Sequence, residues 1–400
     1  MRSIGRCVIA VALVTGLADT AQAQPADACT YLSNLIPIDG GPLFLPSYPT
    51  AEDGPLRSVA FLYDDAVATI ALVGCGEAGR ARRIGDAMLV ALDHDRAWHD
   101  GRLRNAYAAG PVESPVKLGG WWDVAQNRWL EDRYQVSSDT GNMAWAMLAL
   151  LALDQSVHDP RYRDGALRIG GWVAGRGDPR GAGGYTGGFS GWEPSPSVLS
   201  WKSTEHNTDL AGAFALLSKS IGDPVWLDRA QLAARFVSAM WDDGCACFAV
   251  GTADDGVTPN PILALDAEIW PLLAIPVMAR LHGDADLATI DSKLAVGDGY
   301  VYSDAGHALW TEGTAQAALV LGLLGHTDKA DAADRAVDAQ RAPRGGYFAT
   351  PELKLATGFI DPTSPGTQRF YYHLPHLAAA AWAALAQKHF NPFTDSAALP

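Results

Sequence analysis

The chain has 400 residues, of which 48% are hydrophobic, and it carries a formal net charge of -15 at pH 7. This acidic balance argues against partners with negatively charged surfaces, so we expect no binding to nucleic acid and no membrane insertion. The 13 tryptophans and 12 tyrosines favour carbohydrate instead, because aromatic rings stack on the apolar faces of sugars. We expect roughly half of these aromatic side chains to lie in the hydrophobic core.

The first 23 residues have the pattern of a secretory signal peptide. Arg2 and Arg6 precede a short apolar stretch, and residues 21–23 (A-Q-A) form a small-x-small cleavage site. The apolar stretch is too short to span a bilayer, and no later one reaches the roughly 20 apolar residues of a transmembrane helix. We therefore predict cleavage after Ala23 and a monomer that is secreted, into a bacterial periplasm.

Four cysteines remain after that cleavage: Cys29, Cys75, Cys245 and Cys247. In an oxidising compartment a Cys29–Cys75 disulfide would tie down the N-terminal segment, and a Cys245–Cys247 disulfide is a tighter alternative. The chain lacks the second cysteine pair or the H-x-x-x-H partner that a zinc site would need. We therefore predict neither a metal ion nor another cofactor.

Two kinds of apolar segment alternate along the chain. One is apolar on all sides and begins with polar residues, as a buried helix does, whereas the other is amphipathic, as an outer helix is. The predicted inner helices are 63–73, 140–153, 206–218, 266–278, 311–324 and 371–387. The predicted outer helices are 78–93, 161–174, 225–241, 284–294 and 329–340, with a sixth in either 27–36 or 54–61. Glycine-rich aromatic turns after the outer helices predict short β-hairpins at a rim or the mouth of the ring.

This alternation predicts an all-α fold, an (α/α)6 toroid that takes up residues 24–400 as a single domain. The inner helices of such a ring run in one direction, so their N-termini share one face. Polar residues stand at every predicted start: Asp64 and Asp65; Asp139; Glu205, His206 and Asp209; Asp266 and Glu268; Glu312; and Tyr371, Tyr372, His373 and His376. One acid at a helix start is explained as a cap worth about 0.3–1 kcal/mol. Acids at five starts predict a carboxylate-lined cleft.

Clustered carboxylates beside aromatic rings are what glycoside hydrolysis requires. One carboxylic acid protonates the leaving oxygen and a second carboxylate activates water or attacks the sugar. In inverting enzymes the two groups stand about 6.5–9.5 Å apart, which suits residues from different inner helices. We therefore predict a glycoside hydrolase, of the inverting type, that cleaves an oligosaccharide or polysaccharide.

Glu205 is the predicted general acid, because it lies in the first turn of a helix beside His206, Asn207 and Trp201. Asp209, one turn later, would raise the pKa of Glu205 by repulsion. The remaining catalytic candidates are Glu312 or Asp139 as the base, followed by Asp266 and Glu268. The predicted substrate-binding residues are Trp201, His206, Asn207, Asp65, Trp121, Trp122, Trp270, Trp310, Tyr371 and Tyr372.

The alternating twelve-helix pattern resembles the six-hairpin, (α/α)6-barrel glycosidase superfamily over nearly all of the mature chain. Residues 311–313 (T-E-G) are similar to the S-E-G motif of family-8 endoglucanases, which implies a general acid at Glu312. Residues 264–268 (A-L-D-A-E) partly match the A-[ST]-D-[AG]-D signature of that family. Leu265 and Glu268 depart from the signature, and the two motifs occur in the opposite order. The resemblance therefore indicates the superfamily and no single family.

Four other functions fit parts of the same pattern. A polysaccharide lyase on this barrel could use Tyr372, His206, Asn207 and Arg369. A sugar epimerase would share the barrel, although the signal peptide argues against this class of intracellular enzyme. A terpene-cyclase-like α-barrel would use the acidic residues 64–66 (D-D-A), and a periplasmic glycan-binding protein would bind sugar without turnover.

Overall fold

The computed structural model describes residues 27–360 and 368–394, so the predicted signal peptide lies outside the described residues. About half of the described residues form helices, which pack in a ring. In chain order they are α1 (Ala28–Leu35), α2 (Leu62–Gly74), α3 (Ala78–His94), α4 (Arg133–Val136), α5 (Thr140–Val157), α6 (Pro160–Ala174), α7 (Thr204–Ile221), α8 (Pro224–Ala239), α9 (Leu265–Ala274), α10 (Pro276–Lys293), α11 (Thr311–Leu323), α12 (Thr327–Asp338) and α13 (Leu377–Gln387).

The inner wall consists of α2, α5, α7, α9, α11 and α13. Each of these helices packs against the next, and α13 packs against α2, which closes the ring. Their composition explains this position, because a helix that is apolar on all sides is shielded from water only when other helices surround it. In α5 every residue from Thr140 to Leu153 is buried. The predicted (α/α)6 toroid is confirmed.

The outer layer pairs with the inner one as α3 on α2, α6 on α5, α8 on α7, α10 on α9 and α12 on α11. The sixth outer helix is α1, which packs against α13, so the first of the two predicted locations is correct. Residues 54–61 instead contain a single turn of 3-10 helix, Gly54–Leu56, and a strand. The predicted Cys29–Cys75 disulfide is present and joins α1 to the C-terminal end of α2, and Cys245 is bonded to Cys247.

Three predicted helix boundaries are wrong by several residues. The fourth inner helix ends at Ala274, not 278, and the outer helix that follows begins at Pro276, not 284. Ile275 is extended because a residue before proline avoids the helical conformation, and Pro276 is well suited to start a helix. The sixth inner helix begins at Leu377, not 371, because the β-prone residues before it form a strand.

Short antiparallel strands occupy the loops. They are β1 (Leu43–Phe44), β2 (Val59–Phe61), β3 (Ala106–Ala108), β4 (Gly110–Pro111), β5 (Trp121–Asp123), β6 (Arg128–Leu130), β7 (Ser138–Asp139), β8 (Gly188–Ser190), β9 (Ser197–Leu199), β10 (Trp241–Asp242), β11 (Cys247–Phe248), β12 (Gly251–Thr252), β13 (Pro259–Asn260), β14 (Ala295–Val296), β15 (Gly299–Tyr300), β16 (Lys354–Ile360) and β17 (Gln368–Tyr372). The pairs are β1–β4, β2–β3, β5–β6, β10–β11, β12–β13, β14–β15 and β16–β17, and β7, β8 and β9 form one sheet in that order. The predicted loop hairpins are confirmed. Among the described residues, no helix is both long enough and apolar enough to cross a membrane.

Candidate active site

The N-terminal ends of the inner helices open into a cleft of about 610 Å³. Five inner helices contribute a carboxylate to its lining: Asp64 of α2, Asp139 at the start of α5, Glu205 of α7, Asp266 of α9 and Glu312 of α11. The common direction of the inner helices explains this convergence, because each acid lies at or near a helix start. The structure therefore brings together four of the six predicted catalytic residues and adds Asp64.

Glu205 lies in the first turn of α7 and is partly exposed to the cleft. Ser203 caps this helix by accepting a hydrogen bond from the amide of His206 at 3.2 Å. Burial raises the pKa of Glu205 well above its usual value, and the charges of Asp266, Glu312 and Asp139 raise it further. The carboxyl group therefore favours its protonated form.

Glu312 is buried and receives hydrogen bonds from two side chains. The Tyr63 hydroxyl donates to its Oε1 at 2.5 Å, and the Gln316 amide donates to the same atom at 3.3 Å. The Trp382 indole in turn donates to the Tyr63 hydroxyl at 2.8 Å, which fixes the direction of the tyrosine. Burial raises the pKa of Glu312 to about 8, although His376 and Tyr63 act to lower it.

His376 lies between two of these carboxylates at the start of α13. Its Nε2 is 3.2 Å from Asp64 Oδ2, and its Nδ1 is 3.6 Å from Glu312 Oε2. The Tyr48 ring stacks on the imidazole at 4.7 Å. Burial lowers the pKa of His376, but the charges of Asp64 and Glu312 outweigh this effect and leave the pKa raised. The imidazolium is thus held where it can stabilise an ionised Glu312.

Asp266 and Asp139 are the other two inner-helix acids that line the cleft. The amide of Ala267 donates to Asp266 at 3.0 Å, yet burial still raises the pKa of Asp266 to about 7. Asp139 precedes α5, and its own amide donates to the Asn105 side chain at 2.8 Å, which fixes the backbone at this point.

Four acidic or amide residues predicted for the site do not line the cleft. Glu268 accepts a hydrogen bond from the amide of Phe248 at 2.9 Å and lies beside the buried Asp286 of α10. Asp209 is fully buried one turn below Glu205, where the Glu205 and Asp266 charges and, above all, burial raise its pKa.

Asp65 and Asn207 are held by the backbone. Asp65 is fully buried and accepts a hydrogen bond from the amide of Leu45 at 2.9 Å. The amide group of Asn207 bonds to both the N–H and the C=O of Tyr185, at 2.8 and 3.0 Å, and to the Ser203 carbonyl at 2.9 Å. Neither Asp65 nor Asn207 lines the cleft, so the structure does not place these two side chains where we predicted that they contact substrate.

The predicted aromatic residues divide in the same way. Trp201, Trp270, Trp310 and Tyr371 line the cleft, whereas Trp121, Trp122 and Tyr372 do not. Trp270 and Trp310 are almost completely buried and contribute to the floor. Trp201 is half-buried and presents part of its ring to the cleft. The ring rests on Gly187, where a Cβ atom would come within 2.6 Å of it, so only glycine leaves room for this placement.

His206 of α7 and Arg369 of β17 also line the cleft. The His206 Nδ1 lies 3.2 Å from the hydroxyl of Thr140, and burial together with the Arg369 charge lowers the His206 pKa to about 4. The guanidinium of Arg369 lies 4.1 Å from the centre of the Tyr134 ring. Among residues 27–360 and 368–394, no group of three or more histidine, cysteine or acidic side chains is arranged to hold a metal ion.

Sequence reasoning missed Tyr63 and Tyr48, and it placed Asp64 at the cleft without assigning it a catalytic or binding role. Tyr63 and Asp64 stand in the first turn of the first inner helix, which is the same signal that identified Glu205 and Glu312. Tyr48 comes from a loop before that helix and reaches His376 only through the closure of the ring, so its position gave no local signal.

The comparisons with known proteins agree with this architecture. No family model matches the chain, and no curated protein matches it. A solved glycosidase in complex with glucose superposes with a TM-score of 0.59 at 15% identity, covering 90% of this chain and 96% of its own. Cellobiose 2-epimerase from Bacillus thermoamylovorans B4167 gives 0.62 at 11%, covering 90% and 95%. The enzyme of that name from Spirochaeta thermophila DSM 6192 gives 0.57 at 16%, covering 90% and 92%. These similarities confirm the fold that the sequence predicted, an (α/α)6 barrel.

Proposed function

We propose that the protein hydrolyses a glycosidic bond in an oligosaccharide or polysaccharide by carboxylate acid–base catalysis. The observation that supports this proposal is the set of three carboxylates, Glu205, Asp266 and Glu312, from three consecutive inner helices in one aromatic cleft. Each has a raised pKa, so one can hold a proton near neutral pH while a neighbour is ionised. Glycoside hydrolysis requires such a division of protonation states.

Glu205 takes the role of general acid in this proposal. It donates its proton to the glycosidic oxygen as the bond from that oxygen to the anomeric carbon breaks. Glu312 takes the role of base, because the Tyr63 hydroxyl and the His376 imidazolium act against the burial that raises its pKa to about 8. It accepts a proton from the water that attacks the anomeric carbon.

The order of helices in the ring favours an inverting reaction. Glu205 on α7 and Glu312 on α11 are separated by α9, and an inverting reaction needs two carboxylates far enough apart for a water molecule between sugar and base. Burial raises the Glu205 pKa most, and among the neighbouring charges that of Asp266 on the intervening helix raises it most. We assign Asp266 the role of keeping Glu205 protonated.

The test is a panel of soluble glucans, xylans, mannans and their oligosaccharides, assayed for release of reducing ends. Glu205→Gln and Glu312→Gln should each lower kcat by about a thousandfold, and Asp139→Asn by less. Glu113→Gln, at an exposed surface position, is the control and should retain full activity. If the three site variants remain folded and hydrolyse a responsive glycan at near the original rate, the assignment is wrong.

A second candidate function, sugar epimerisation, is favoured by the two histidines that line the cleft. The pKa of His206 is lowered to about 4, which suits a base, and that of His376 is raised, which suits an acid. Such a pair could remove and return a proton beside a sugar carbonyl. Incubation with cellobiose in D₂O would yield a deuterated epimer with no increase in reducing ends, and His206→Asn would abolish that exchange.

We also propose that the mature protein begins at Gln24 and acts as a monomer in the bacterial periplasm. Support comes from the basic, apolar and small-residue order of the first 23 residues. N-terminal sequencing of protein from a periplasmic extract, followed by sedimentation, tests both statements. A chain that retains Met1 and stays in the cytoplasm would contradict the first of them.

A further inference from the structure

Three tryptophans outside the cleft are unusually exposed. The exposed fractions are 56% for Trp122, 53% for Trp129 and 42% for Trp192. Tryptophan is largely buried in most proteins, and clustered exposed aromatic rings mark interaction sites. Trp122 and Trp129 lie on the β5–β6 hairpin, and Trp192 lies in the connection between β8 and β9. We call these three residues the tryptophan rim.

The β5–β6 hairpin holds its two rings on one face. Trp122 pairs directly with Trp129 across the strands, and paired residues point to the same side of a ribbon. Trp129 also lies against Gly120, where a Cβ atom would come within 2.6 Å of its indole nitrogen. This close contact restricts the ring to one position, so Trp129 presents a prearranged surface.

Two arginines fasten this hairpin to the β8–β9 connection. Arg96 forms a bidentate ion pair with Glu131, at 2.5 and 2.8 Å, and a further ion pair with Glu193. Arg133 donates to Ser190 at 3.3 Å, and its guanidinium lies 6.0 Å from the Trp192 ring. The three exposed rings therefore belong to one connected surface.

That surface is continuous with the cleft. Ser190 lines the cleft and stands two residues before Trp192, a separation of at most about 7 Å along the chain. Tyr134 also lines the cleft and follows Arg133 directly. A bound polymer that leaves the cleft past Tyr134 and Ser190 would therefore reach the tryptophan rim next.

We propose that the tryptophan rim binds a glycan chain that extends out of the cleft. The substrate is then an oligosaccharide or polysaccharide with several sugar units beyond the cleaved bond, and not a small glycoside. Neutral hexopyranose units match this surface, because their C–H faces stack on indole rings. The acids Glu131 and Glu193 are occupied by Arg96, so little net charge faces the chain.

The first test measures binding without catalysis. It uses affinity electrophoresis of Glu205→Gln through gels that contain the soluble glucans, xylans or mannans of the panel above. We expect at least one polysaccharide to retard the protein, and adding Trp122→Ala and Trp129→Ala to weaken that retardation about tenfold. Trp129→Phe should restore part of the loss. Leu281→Ala, an exposed apolar residue on outer helix α10, is the matched control and should change nothing.

The second test uses substrate length. This part rests on the proposed hydrolase, whereas the gel experiment does not. In the otherwise unaltered protein, the Trp122→Ala and Trp129→Ala pair should raise KM about tenfold for the longest chains and leave it unchanged for the shortest substrate hydrolysed. In both cases kcat should remain the same.

Three results would overturn the inference. One is a lack of retardation by every polysaccharide, and another is equal retardation of the rim variants and their parent. The third is a change in sedimentation when the tryptophans are removed, because it would assign the rim to contact between copies of the chain. If no glycan is hydrolysed but the gel retardation depends on Trp122 and Trp129, the hydrolase proposal fails and the rim proposal stands.

Discussion

The acids near the inner-helix starts form two groups that differ in access and not in sequence context. Asp266 and Glu268 stand two positions apart in α9, yet Asp266 lines the cleft and Glu268 lies beside Asp286 of α10. Asp64 and Asp65 are adjacent in α2, yet Asp64 lines the cleft and Asp65 binds the backbone of the loop before it. Each helical residue turns the direction of the side chain by about 100°, so neighbours in sequence face different surroundings.

Asp266 and Glu268, one from each group, both have raised pKa values. Burial raises the pKa of Asp266 and of Glu268 to about 7 in each case. A shifted pKa therefore does not identify a functional acid in this protein. The two groups differ in what their carboxylates contact. The Asp266 carboxylate borders the open cleft, whereas the Glu268 carboxylate is surrounded by protein.

We expect the largest difference in kcat between variants of two α9 acids, one from each group. Asp266→Asn should lower kcat by about a hundredfold, because Glu205 would lose the neighbouring charge that favours its proton. Glu268→Gln should leave kcat within about twofold, since its carboxyl does not reach the cleft. Steady-state kinetics on a responsive glycan measures both. Equal losses from the two variants would show that access to the cleft does not separate the groups.

The next effect concerns the histidine between two cleft acids. His376→Gln removes a cation 3.6 Å from Glu312, which should raise the Glu312 pKa and move the acid limb of the pH–activity profile upward by about one unit. The rate at neutral pH should fall about tenfold as a result.

His373→Gln is the matched control for that profile. His373 lies outside the cleft, with its ring stacked on Phe348 and its Nδ1 2.8 Å from the Thr350 carbonyl. Its replacement should leave the acid limb in place. If the acid limb does not shift in His376→Gln, His376 does not lower the pKa of Glu312.

The sequence was sufficient for the ring because burial leaves a direct mark on composition. An inner helix such as α5 has apolar residues on every face, and an outer helix such as α3 has them on one, so the alternation could be read without a template. The common direction of the inner helices then placed Glu205, Asp266 and Glu312 at one end. These inferences needed only local patterns.

The site was predicted less well because its details depend on long-range contacts. Asn207 stands close to Glu205 in sequence, but its side-chain amide forms hydrogen bonds with the backbone of Tyr185, which lies 22 residues earlier. Tyr63 reaches Glu312 across 249 residues. Which face of a helix start points into the cleft is set by the neighbouring helices, and a single helix sequence does not contain that information.

A smaller effect should separate structural from substrate-binding amides. Asn207→Ala removes three hydrogen bonds to buried backbone groups and should lower the free energy of unfolding by about 2–3 kcal/mol. KM should be unchanged at temperatures where the variant is folded. Denaturant titration and kinetics measure the two quantities, with the exposed Gln126→Ala as a control. A raised KM with unaltered stability would show instead that Asn207 contacts the substrate.

The smallest effect is a pH dependence of stability carried by the buried pair Glu268 and Asp286. Burial raises the pKa of both groups, so the folded state holds protons that the unfolded state releases above about pH 4. The stabilisation is therefore complete below that pH and is lost as the pH rises through about 7. Buried cleft acids give a slope of the same sign, so the measurement must be a difference between variants.

Asp286→Asn removes one titrating group and keeps a partner that can donate to Glu268. Its melting temperature should fall less than that of the parent between about pH 5 and pH 8, by roughly 2 °C. Asp284→Asn is the control on the same helix, because the Asp284 side chain is fully exposed and its replacement should leave the parent slope. Parallel melting curves for all three proteins would mean that the buried pair has no pKa shift on folding, and that only the cleft acids distinguish the two groups.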